Sequence, residues 1–435
     1  MLFARSLRLV LHGAALLVCA LAVSRANAQE DLRSENPKRR ARAAEELGKQ
    51  NDSQHIPRLR PLLKDSDRAV RAEAAAAIVA IGTQHSLEPL LEAARDAEPA
   101  IQILAVDGLV NFYYPGYVQS GWTAGLKKFG SSLKSRFAEP NVQVVETYVT
   151  ASPEVVEAIG RVAVGGTSLE ARALAARALG VLRARAAVPQ LLETLRTKDS
   201  GVILDSLRAL EKIGDRSAGA GFQFLLRDLD EPVQIAALDA TGQLQNREAI
   251  PVLQQVLADT GSSKVRRAAL TALAKMPDRS SRELFLISLK DRDKYLRAAA
   301  AEGLGRLGEA AAVPLLKQAF GQEDNRSARL SMAFALIRFG DRGYLPHLLD
   351  ALNSTIHRGE ARPFLIELAR DPALLALLYE PLKKGSNEQK KGLAQVLGAS
   401  GTAESLTHLE NLSEDPNLEV AREAVEASKS LRARL

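Results

Sequence analysis

Residue patterns that could carry chemistry are few in this chain. The run Gly303-Leu304-Gly305-Arg306-Leu307-Gly308 matches G-x-G-x-x-G, the pattern that lets a backbone approach a dinucleotide pyrophosphate. That role requires a strand before the glycines and a helix after them, whereas these glycines end a predicted helix. No phosphate loop, H-E-x-x-H or G-x-S-x-G motif is present. We therefore expect no cofactor.

The side chains that most often bind metals are scattered. After residue 28 no histidine lies four residues from another, and no His-Glu dipeptide occurs. These histidines are His55, His85, His347, His357 and His408. The single cysteine, Cys19, lies in the first 28 residues, so the rest of the chain offers no thiolate ligand. The sequence predicts no metal site, no catalytic residues and a protein that is not an enzyme.

The first 28 residues have the features of a signal peptide. Arg5 and Arg8 form a basic start, residues 9–23 are apolar except at two positions, and Ala26-Asn27-Ala28 is a small-x-small cleavage site. The apolar run is shorter than the roughly 20 residues that span a bilayer. We expect export, with a periplasmic or extracellular location after cleavage near Ala28. An uncleaved anchor is the alternative.

Charge argues against nucleic acid as a partner. The formal net charge is +6, and the signal peptide carries Arg5, Arg8 and Arg25 without any acid, so the mature chain has +6 − 3 = +3. Such a mild excess does not indicate a nucleic-acid surface. No small-molecule substrate is indicated either. We expect a protein or peptide partner whose identity the sequence does not give.

One sequence frame returns about every 31 residues. It recurs near Val202, Val233, Val265, Leu296 and Ala328, at spacings of 31, 32, 31 and 32. Each unit predicts two helices, because an apolar helical stripe ends at a glycine and a proline then opens a second apolar helix. The glycines are Gly82, Gly214, Gly308, Gly340 and Gly401, and the prolines are Pro57, Pro189, Pro251, Pro314 and Pro346.

The frame resembles the bacterial HEAT-like repeats first named for phycobilisome lyases. The match runs through residues 295–308 and Ala312-Val313-Pro314-Leu315-Leu316, against a consensus V-R-x-x-A-x-x-A-L-G-x-L-G followed by A-V-P-x-L-L. The resemblance covers about 37–111 and 168–435, and it departs from the consensus around 358–386, where Asp371 and Pro372 replace the glycine turn. It implies an all-α, right-handed α-solenoid of about 11–12 helical-hairpin repeats.

Arginines recur at one position of the first helix, and two interpretations apply to them. They could form a basic binding stripe, or they could be structural. Some follow an acid by one helical turn, as Arg71 follows Asp67 and Arg297 follows Asp293, so the structural interpretation is favoured. The set is Arg71, Arg172, Arg266, Arg297, Arg329 and Arg422.

The repeat frame is lost in an aromatic, basic insertion between Asn111 and Asn141. Its helical spacing places Trp122 and Phe129 on one apolar face with Lys127, Lys128, Lys134 and Arg136 nearby. Tyr114-Pro115-Gly116-Tyr117 predicts a turn. Residues 142–149 suit a strand or an irregular loop, and a helix should begin at Ser152-Pro153-Glu154. The predicted partner-binding residues are Tyr113, Tyr114, Tyr117, Trp122, Lys127, Lys128, Phe129, Lys134 and Arg136.

Three roles suit this insertion: a structural plug on the solenoid, a site that captures a partner, or a surface that docks on an anionic membrane. The chain thus divides into a signal peptide (1–28), N-terminal repeats (29–111), the insertion (112–151) and a main array (152–435) with a polar C-terminal cap. We expect an exported, non-enzymatic protein–protein interaction scaffold. The alternatives are a lyase or chaperone-like factor related to bilin lyases, against which export argues, and a peripheral membrane adaptor.

Overall fold

The chain folds as an α-solenoid of HEAT repeats, as predicted. The computed structural model describes residues 31–117, 144–146 and 148–435, and within them only helices, turns and irregular segments occur. Two compact units are present. Unit 1 contains residues up to Val145 together with Ala151–Ile213, and unit 2 contains Glu146–Thr150 together with Gly214–Leu435. The signal peptide prediction lies outside the described residues. None of the described helices is long and apolar enough to cross a membrane.

Unit 1 stacks antiparallel helix pairs. Its helices are α1 (Pro37–Lys49), α2 (Ile56–Leu59), α3 (Arg68–Ile81), α4 (Leu87–Ala93), α5 (Pro99–Tyr113), α6 (Pro153–Gly165), α7 (Leu169–Val181), α8 (Val188–Thr194) and α9 (Ser200–Ile213). First helices pack on first helices, as α1 does on α3 and α7 on α9. Alanine dominates these contacts, and Ala74, Ala75, Ala175 and Ala176 are fully buried.

Unit 2 continues the same pattern. It opens with a 3₁₀ segment (Arg216–Arg227), then α10 (Glu231–Gln243), α11 (Ile250–Asp259), α12 (Ser263–Lys275), α13 (Arg282–Ser288), α14 (Lys294–Leu307), α15 (Val313–Gln322), α16 (Arg326–Arg338), α17 (Leu345–Ala351), α18 (Arg358–Leu368), α19 (Pro372–Leu375), α20 (Tyr379–Lys384), α21 (Asn387–Ser400), α22 (Ala403–Leu412) and α23 (Leu418–Arg434). The irregular repeat predicted around 358–386 is confirmed. The first helix of this repeat, α18, contains Pro363, and the second helix is broken into α19 and α20.

The predicted helix ends are mostly confirmed. Gly82, Gly214, Gly308 and Gly340 have left-handed φ angles of 57°, 70°, 73° and 93°. Gly401 also ends its helix, but it is not in the left-handed conformation, because its φ is −64° and its ψ is 172°. The next helix begins immediately after Gly401 with a capping box on Thr402, so an extended residue is needed there. The predicted prolines do lie in the first turn of the second helices.

A second set of glycines, in the Leu-Gly pair of the consensus, sets the distance between successive first helices. A Cβ on Gly180, Gly242 or Gly305 would lie 2.7 Å from the Cα of an alanine on the next first helix. Real Cβ atoms essentially never come this close to another atom. The three alanines are Ala209, Ala272 and Ala335, and the helices therefore touch backbone to backbone.

The recurring arginines are structural, but their predicted partners are wrong. Arg71 binds Asp96 (Nε–Oδ2, 2.7 Å), and Arg297 binds Glu323 (Nε–Oε2, 2.6 Å), instead of an acid one turn earlier. The acid lies in the loop after the second helix, and Arg71 also donates to the carbonyl of Asp65 in the preceding loop. The cation thus joins two successive loops, which one-turn helical pairing cannot do.

The same pairing recurs elsewhere in the stack. Arg40 binds Asp65 (2.7 Å) in unit 1, and Lys390 binds Asp415 (2.8 Å) in unit 2. Of the other predicted arginines, Arg266 contacts the loop acid Asp291 (3.6 Å) in the same way. Two members differ, since Arg172 donates to the Ala163 carbonyl (3.3 Å) and Arg329 stacks on Phe320 (4.6 Å).

The insertion interrupts one helical hairpin of unit 1. The first helix of that hairpin is α5, and its second helix, α6, packs against α4 and α8 on the far side of the insertion in sequence. The predicted turn at 114–117 is confirmed, because the Tyr117 N–H donates to the Tyr114 carbonyl (3.1 Å). The described residues of 142–149 form no strand, and the helix after Ser152 begins at Pro153.

Candidate functional site

Three of the predicted partner-binding residues lie at the base of the insertion. Tyr113, Tyr114 and Tyr117 are each half-buried. The Tyr113 hydroxyl accepts a hydrogen bond from the Ser152 backbone N–H (3.0 Å), and its ring meets Phe112 edge to face at 5.1 Å. Tyr113 therefore connects the end of α5 to the start of α6. The other six, Trp122, Lys127, Lys128, Phe129, Lys134 and Arg136, lie outside the described residues.

Each glycine of the G-x-G-x-x-G run has a packing role. A Cβ on Gly303 would meet the Phe285 ring at 2.5 Å, and a Cβ on Gly305 would meet Ala335 at 2.7 Å. Gly308 ends α14 with a φ of 73°. The run thus lies within one repeat helix and at its end. Close packing explains Gly303 and Gly305, and the left-handed helix end explains Gly308.

The described histidines have ordinary protein partners. His408 stacks on Tyr379 with 3.8 Å between ring centroids, His347 lies edge to face with Phe320 at 5.1 Å, and His357 contacts Glu360 at 3.1 Å. In the described ranges, no group of three or more His, Cys, Asp or Glu side chains is arranged to hold a metal ion.

A basic groove in unit 2 is the strongest candidate site. It encloses about 650 Å³, and six cationic side chains line it with only one carboxylate, that of Glu367. The cations are Arg216, Arg247, Lys275, Arg306, Arg338 and Arg370. Met276, Pro277, Pro363 and Ile366 add apolar surface. We call this set of residues the basic groove.

The repeat itself positions three of these cations. Lys275, Arg306 and Arg338 occupy the last turns of α12, α14 and α16, which are successive first helices packed side by side. Helices that pack in this way lie about 8–10 Å apart. The backbones of the three cations therefore form a row with roughly that spacing, and the negative ends of the helix dipoles favour cations there.

Arg306 is fixed at the centre of the row. Its guanidinium binds Glu302 (Nη1–Oε2, 3.0 Å) and Glu367 (Nη2–Oε2, 2.9 Å), and it also donates to the Ala274 carbonyl (3.1 Å). It lies 5.0 Å from the Phe334 ring centroid. Burial alone would lower the pKa of Arg306, but the two carboxylates outweigh it and raise that pKa. Arg306 therefore stays charged and ordered.

The other cations of the groove are less constrained. Arg338 contacts Glu367 at 3.3 Å, Arg247 contacts Asp278 at 3.4 Å, and Lys275 donates to Gln243 at 3.3 Å. Arg216 and Arg370 are exposed, and within the described residues they form no ion pair. The groove thus has an ordered central arginine with exposed arginines at its margins, an arrangement suited to carboxylate groups of a ligand.

Unit 1 contains a separate charged cluster on the same helix faces. Arg177 and Asp205 form a buried ion pair (Nη2–Oδ1, 3.1 Å) between α7 and α9. Burial, together with the charge of Arg177, lowers the pKa of the nearby Lys212 to about 8. This cluster joins two repeat helices.

The sequence contains a periodic pattern of cations in the basic groove, and the predicted set of recurring arginines did not include it. Lys275, Arg306 and Arg338 follow one another at 31 and 32 residues, each one position after the Leu-Gly pair or its equivalent. Arg216 and Arg247 are also 31 residues apart, each at the start of a 3₁₀ segment, whereas Arg370 comes from the irregular repeat. Their convergence depends on the packing.

Comparison with known proteins identifies the repeats. The family described as HEAT repeats matches residues 28–110, 220–286 and 281–362, just over half of the chain. The phycocyanobilin lyase subunit alpha of Picosynechococcus is 30% identical over 162 residues, which cover 34% of this chain and 60% of the relative. The bilin biosynthesis protein PecE of Mastigocladus laminosus is 32% identical over 189 residues, covering 42% of this chain and 68% of the relative.

Solved structures give weaker matches. The complex of CpcE and CpcF of phycocyanin lyase from Nostoc is 22% identical, with coverage of 64% of this chain and 85% of that chain, and the TM-score is 0.30. The karyopherin Kap121p bound to the extreme C-terminus of the protein phosphatase Cdc14p is 14% identical, with coverage of 94% of this chain and 49% of that chain, and the TM-score is 0.43.

These relatives correct one prediction. The expectation that the protein is not an enzyme is wrong, because the two sequence relatives are named as a phycocyanobilin lyase subunit and a bilin biosynthesis protein and indicate a lyase-related role. The absence of familiar catalytic motifs misled the sequence argument.

Proposed function

Because this chain belongs to the HEAT-repeat family that includes bilin-lyase subunits, we propose that it is a lyase-type subunit. In this role it binds a client polypeptide on its stacked helices and holds it while a linear tetrapyrrole or a chemically similar group is attached or removed. The observation that carries the proposal is the 32% identity over 68% of PecE. The matched part spans only 60% of the lyase subunit alpha, so the reaction and the substrate are both part of the proposal.

The geometry supports binding and orientation as this chain's contribution. The basic groove offers cations for carboxylates and a partly apolar wall, whereas its one lining acid, Glu367, is held by Arg306. Holding two reactants in a productive geometry lowers the barrier of their reaction by removing translational and rotational freedom in advance. A second subunit that supplies reactive groups is compatible with this role.

Binding of a chromophore tests the lyase relation. Mature protein is titrated with phycocyanobilin, and the visible absorbance spectrum is followed. We expect a saturable spectral change that heat-denatured protein does not produce. A folded protein that leaves the spectrum unchanged up to millimolar concentration would exclude a chromophore-handling role, whatever polypeptides it binds.

We also propose that the protein works outside the cytoplasm. The basic, apolar and small-residue segments of residues 1–28 support this, although the relatives' names give no location. Expression of the full chain in a Gram-negative host, followed by fractionation and mass spectrometry, should give a periplasmic product that begins at Gln29. A cytoplasmic product retaining Met1 would contradict export.

We propose that the aromatic insertion adds contacts to the same client. Its predicted residues Trp122, Lys127, Lys128, Phe129, Lys134 and Arg136 are of types that anchor protein interfaces. Trp122 is the only tryptophan, so its fluorescence reports on the insertion alone. Red-shifted emission that moves to the blue when client is added supports the proposal. Blue-shifted emission without client indicates a structural plug, and a shift caused only by anionic vesicles indicates membrane docking.

A further inference from the structure

We infer that the basic groove binds an acidic segment of polypeptide in an extended conformation, with carboxylates about three residues apart. The inference rests on the proposed function, because it specifies the chemistry of the client at this surface. It uses only residues of unit 2. Three features of the groove carry it: the excess of positive charge, the spacing of the cations and the shape of the cavity.

The charge excess is large for so small a surface. Six cations and one carboxylate line the groove. The internal partners of these cations account for part of the charge, since Glu302 and Glu367 bind Arg306. Glu367 also contacts Arg338, and Asp278 contacts Arg247. Arg216 and Arg370 pair with no acid in the described part of the chain. Like charges held close together repel, and a bound anion relieves that repulsion. The complementary ligand is therefore an anion with several charges.

The cation spacing selects among anions. The backbones of Lys275, Arg306 and Arg338 repeat with the helices, at about 8–10 Å, while the side chains of Arg306 and Arg338 both contact Glu367. An extended polypeptide advances about 3.3 Å per residue, so every third side chain lies about 10 Å further along. An extended segment with an acid at every third position therefore carries negative charge at the repeat of the helices. Arg306 is already bound by Glu302 and Glu367. The acids would therefore meet Lys275, the exposed part of Arg338 and the marginal arginines.

The cavity also suits a chain better than a compact ion. The groove crosses the ends of several helices, from Arg216 and Arg247 to Arg370, and encloses about 650 Å³. Met276 and Ile366 give the wall apolar patches that can cover the side chains between the acids. A small inorganic anion would leave most of this surface uncovered.

The probe is a fluorescein-labelled peptide in which glutamate occupies every third position of an otherwise serine sequence of twelve residues. Binding to the mature full chain is measured by anisotropy at low salt. We expect saturable binding that weakens as salt rises, because exposed ion pairs are screened within about 10 Å at 0.1 M. A peptide of the same composition with its four glutamates in one block should bind at least a few-fold more weakly.

The variant Arg216→Glu/Arg370→Glu tests the location. We expect it to weaken binding of the spaced peptide by at least about tenfold, since each lost contact is worth a few-fold and each reversal adds repulsion. The milder Arg216→Gln/Arg370→Gln should lie between this variant and the wild type. The matched control is Arg292→Glu/Arg326→Glu. Both arginines are exposed, Arg292 in the loop before α14 and Arg326 at the start of α16. They lie outside the groove, so they should leave affinity unchanged.

Several outcomes overturn the inference. Equal weakening by the groove and control variants would show that the peptide follows overall charge, and absence of binding by a protein with wild-type circular dichroism would remove the site. An oligothymidine of twelve nucleotides that binds more tightly and displaces the peptide would assign the groove to nucleic acid. If phycocyanobilin binds and loses affinity in the groove variant while the peptide does not bind, the inference fails and the proposed function stands.

Discussion

Replacing Gly305 with alanine tests the backbone contact between α14 and α16. A Cβ at residue 305 would lie 2.7 Å from both the Cα and the Cβ of Ala335, whereas ordinary contacts begin at 3.4 Å. The two helices would have to separate by at least about 0.7 Å (3.4 − 2.7). Part of the obstruction is backbone, which cannot rotate away as a side chain can.

Two opposing terms set the size of the effect. Alanine favours a helix over glycine by about 1 kcal/mol, while overpacking a tight contact costs about 1–3 kcal/mol. Because the neighbour is backbone, we expect the cost to lie near the upper value and the protein to lose about 1–2 kcal/mol. Gly321→Ala in α15 is the control, since a Cβ there has nothing within 4 Å and should stabilise by up to about 1 kcal/mol.

The assay is urea unfolding of both variants, followed by circular dichroism. A repeat array need not unfold in one step, so amide hydrogen exchange of α16 is measured as well. We expect faster exchange in α16 for Gly305→Ala and unchanged exchange for Gly321→Ala. If both substitutions stabilise the protein equally, the argument that the Leu-Gly pair sets the helix spacing is refuted.

Three further predictions concern ion pairs and the base of the insertion. Arg306→Met should destabilise unit 2 by about 2 kcal/mol in urea unfolding, because two carboxylates lose their buried partner, and adding Glu367→Gln should restore part of the loss. The hydrogen bond from Arg297 lowers the pKa of Glu323. This stability is present above the unfolded-state pKa of about 4.3 and is lost as pH falls through the lower native pKa, so melting temperature should drop on acidification below about pH 4, and less so in Glu323→Gln. Tyr113→Phe should cost about 1 kcal/mol and speed amide exchange at Ser152, whereas Tyr114→Phe should not affect that amide.

The repeat architecture could be predicted because its causes are local. The prolines at 57, 189, 251, 314 and 346 and most of the terminal glycines act through their own backbone geometry, so their positions fix the helix limits. The left-handed conformation does not occur at Gly401, because Thr402 caps the next helix immediately and requires an extended residue before it.

Partners across the fold were harder to predict. The sequence places Asp67 one turn before Arg71, yet in the structure Arg71 binds Asp96, which lies 25 residues later. A long side chain can bridge two loops only when helix stacking brings the loops together. The distance between successive loops depends on tertiary packing, so it cannot be predicted from spacing within one helix. The role of the first-helix arginines was predictable, while the identity of their partners was not.

The candidate site was the least predictable part. The row of Lys275, Arg306 and Arg338 is periodic in sequence, but exposed cations at helix ends usually serve solvation and dipole compensation. Only the fold shows that Arg216 and Arg370 line the same cavity. The lyase relation was weakened by the missing catalytic motifs, because sequence motifs detect reactive groups better than they detect surfaces that bind and orient.

Carbodiimide cross-linking tests the central claim, that this repeat protein holds a client polypeptide in the basic groove, most directly. The reagent joins a carboxylate to an amine in contact with it, and Lys275 is the one lysine lining the groove in the described residues. The spaced acidic peptide is cross-linked to the mature protein, and the products are mapped by mass spectrometry. We predict that the main cross-link is to Lys275 and that it disappears in Arg216→Glu/Arg370→Glu. Cross-links spread over lysines such as Lys290, Lys294 and Lys383, with none at Lys275, would contradict the account.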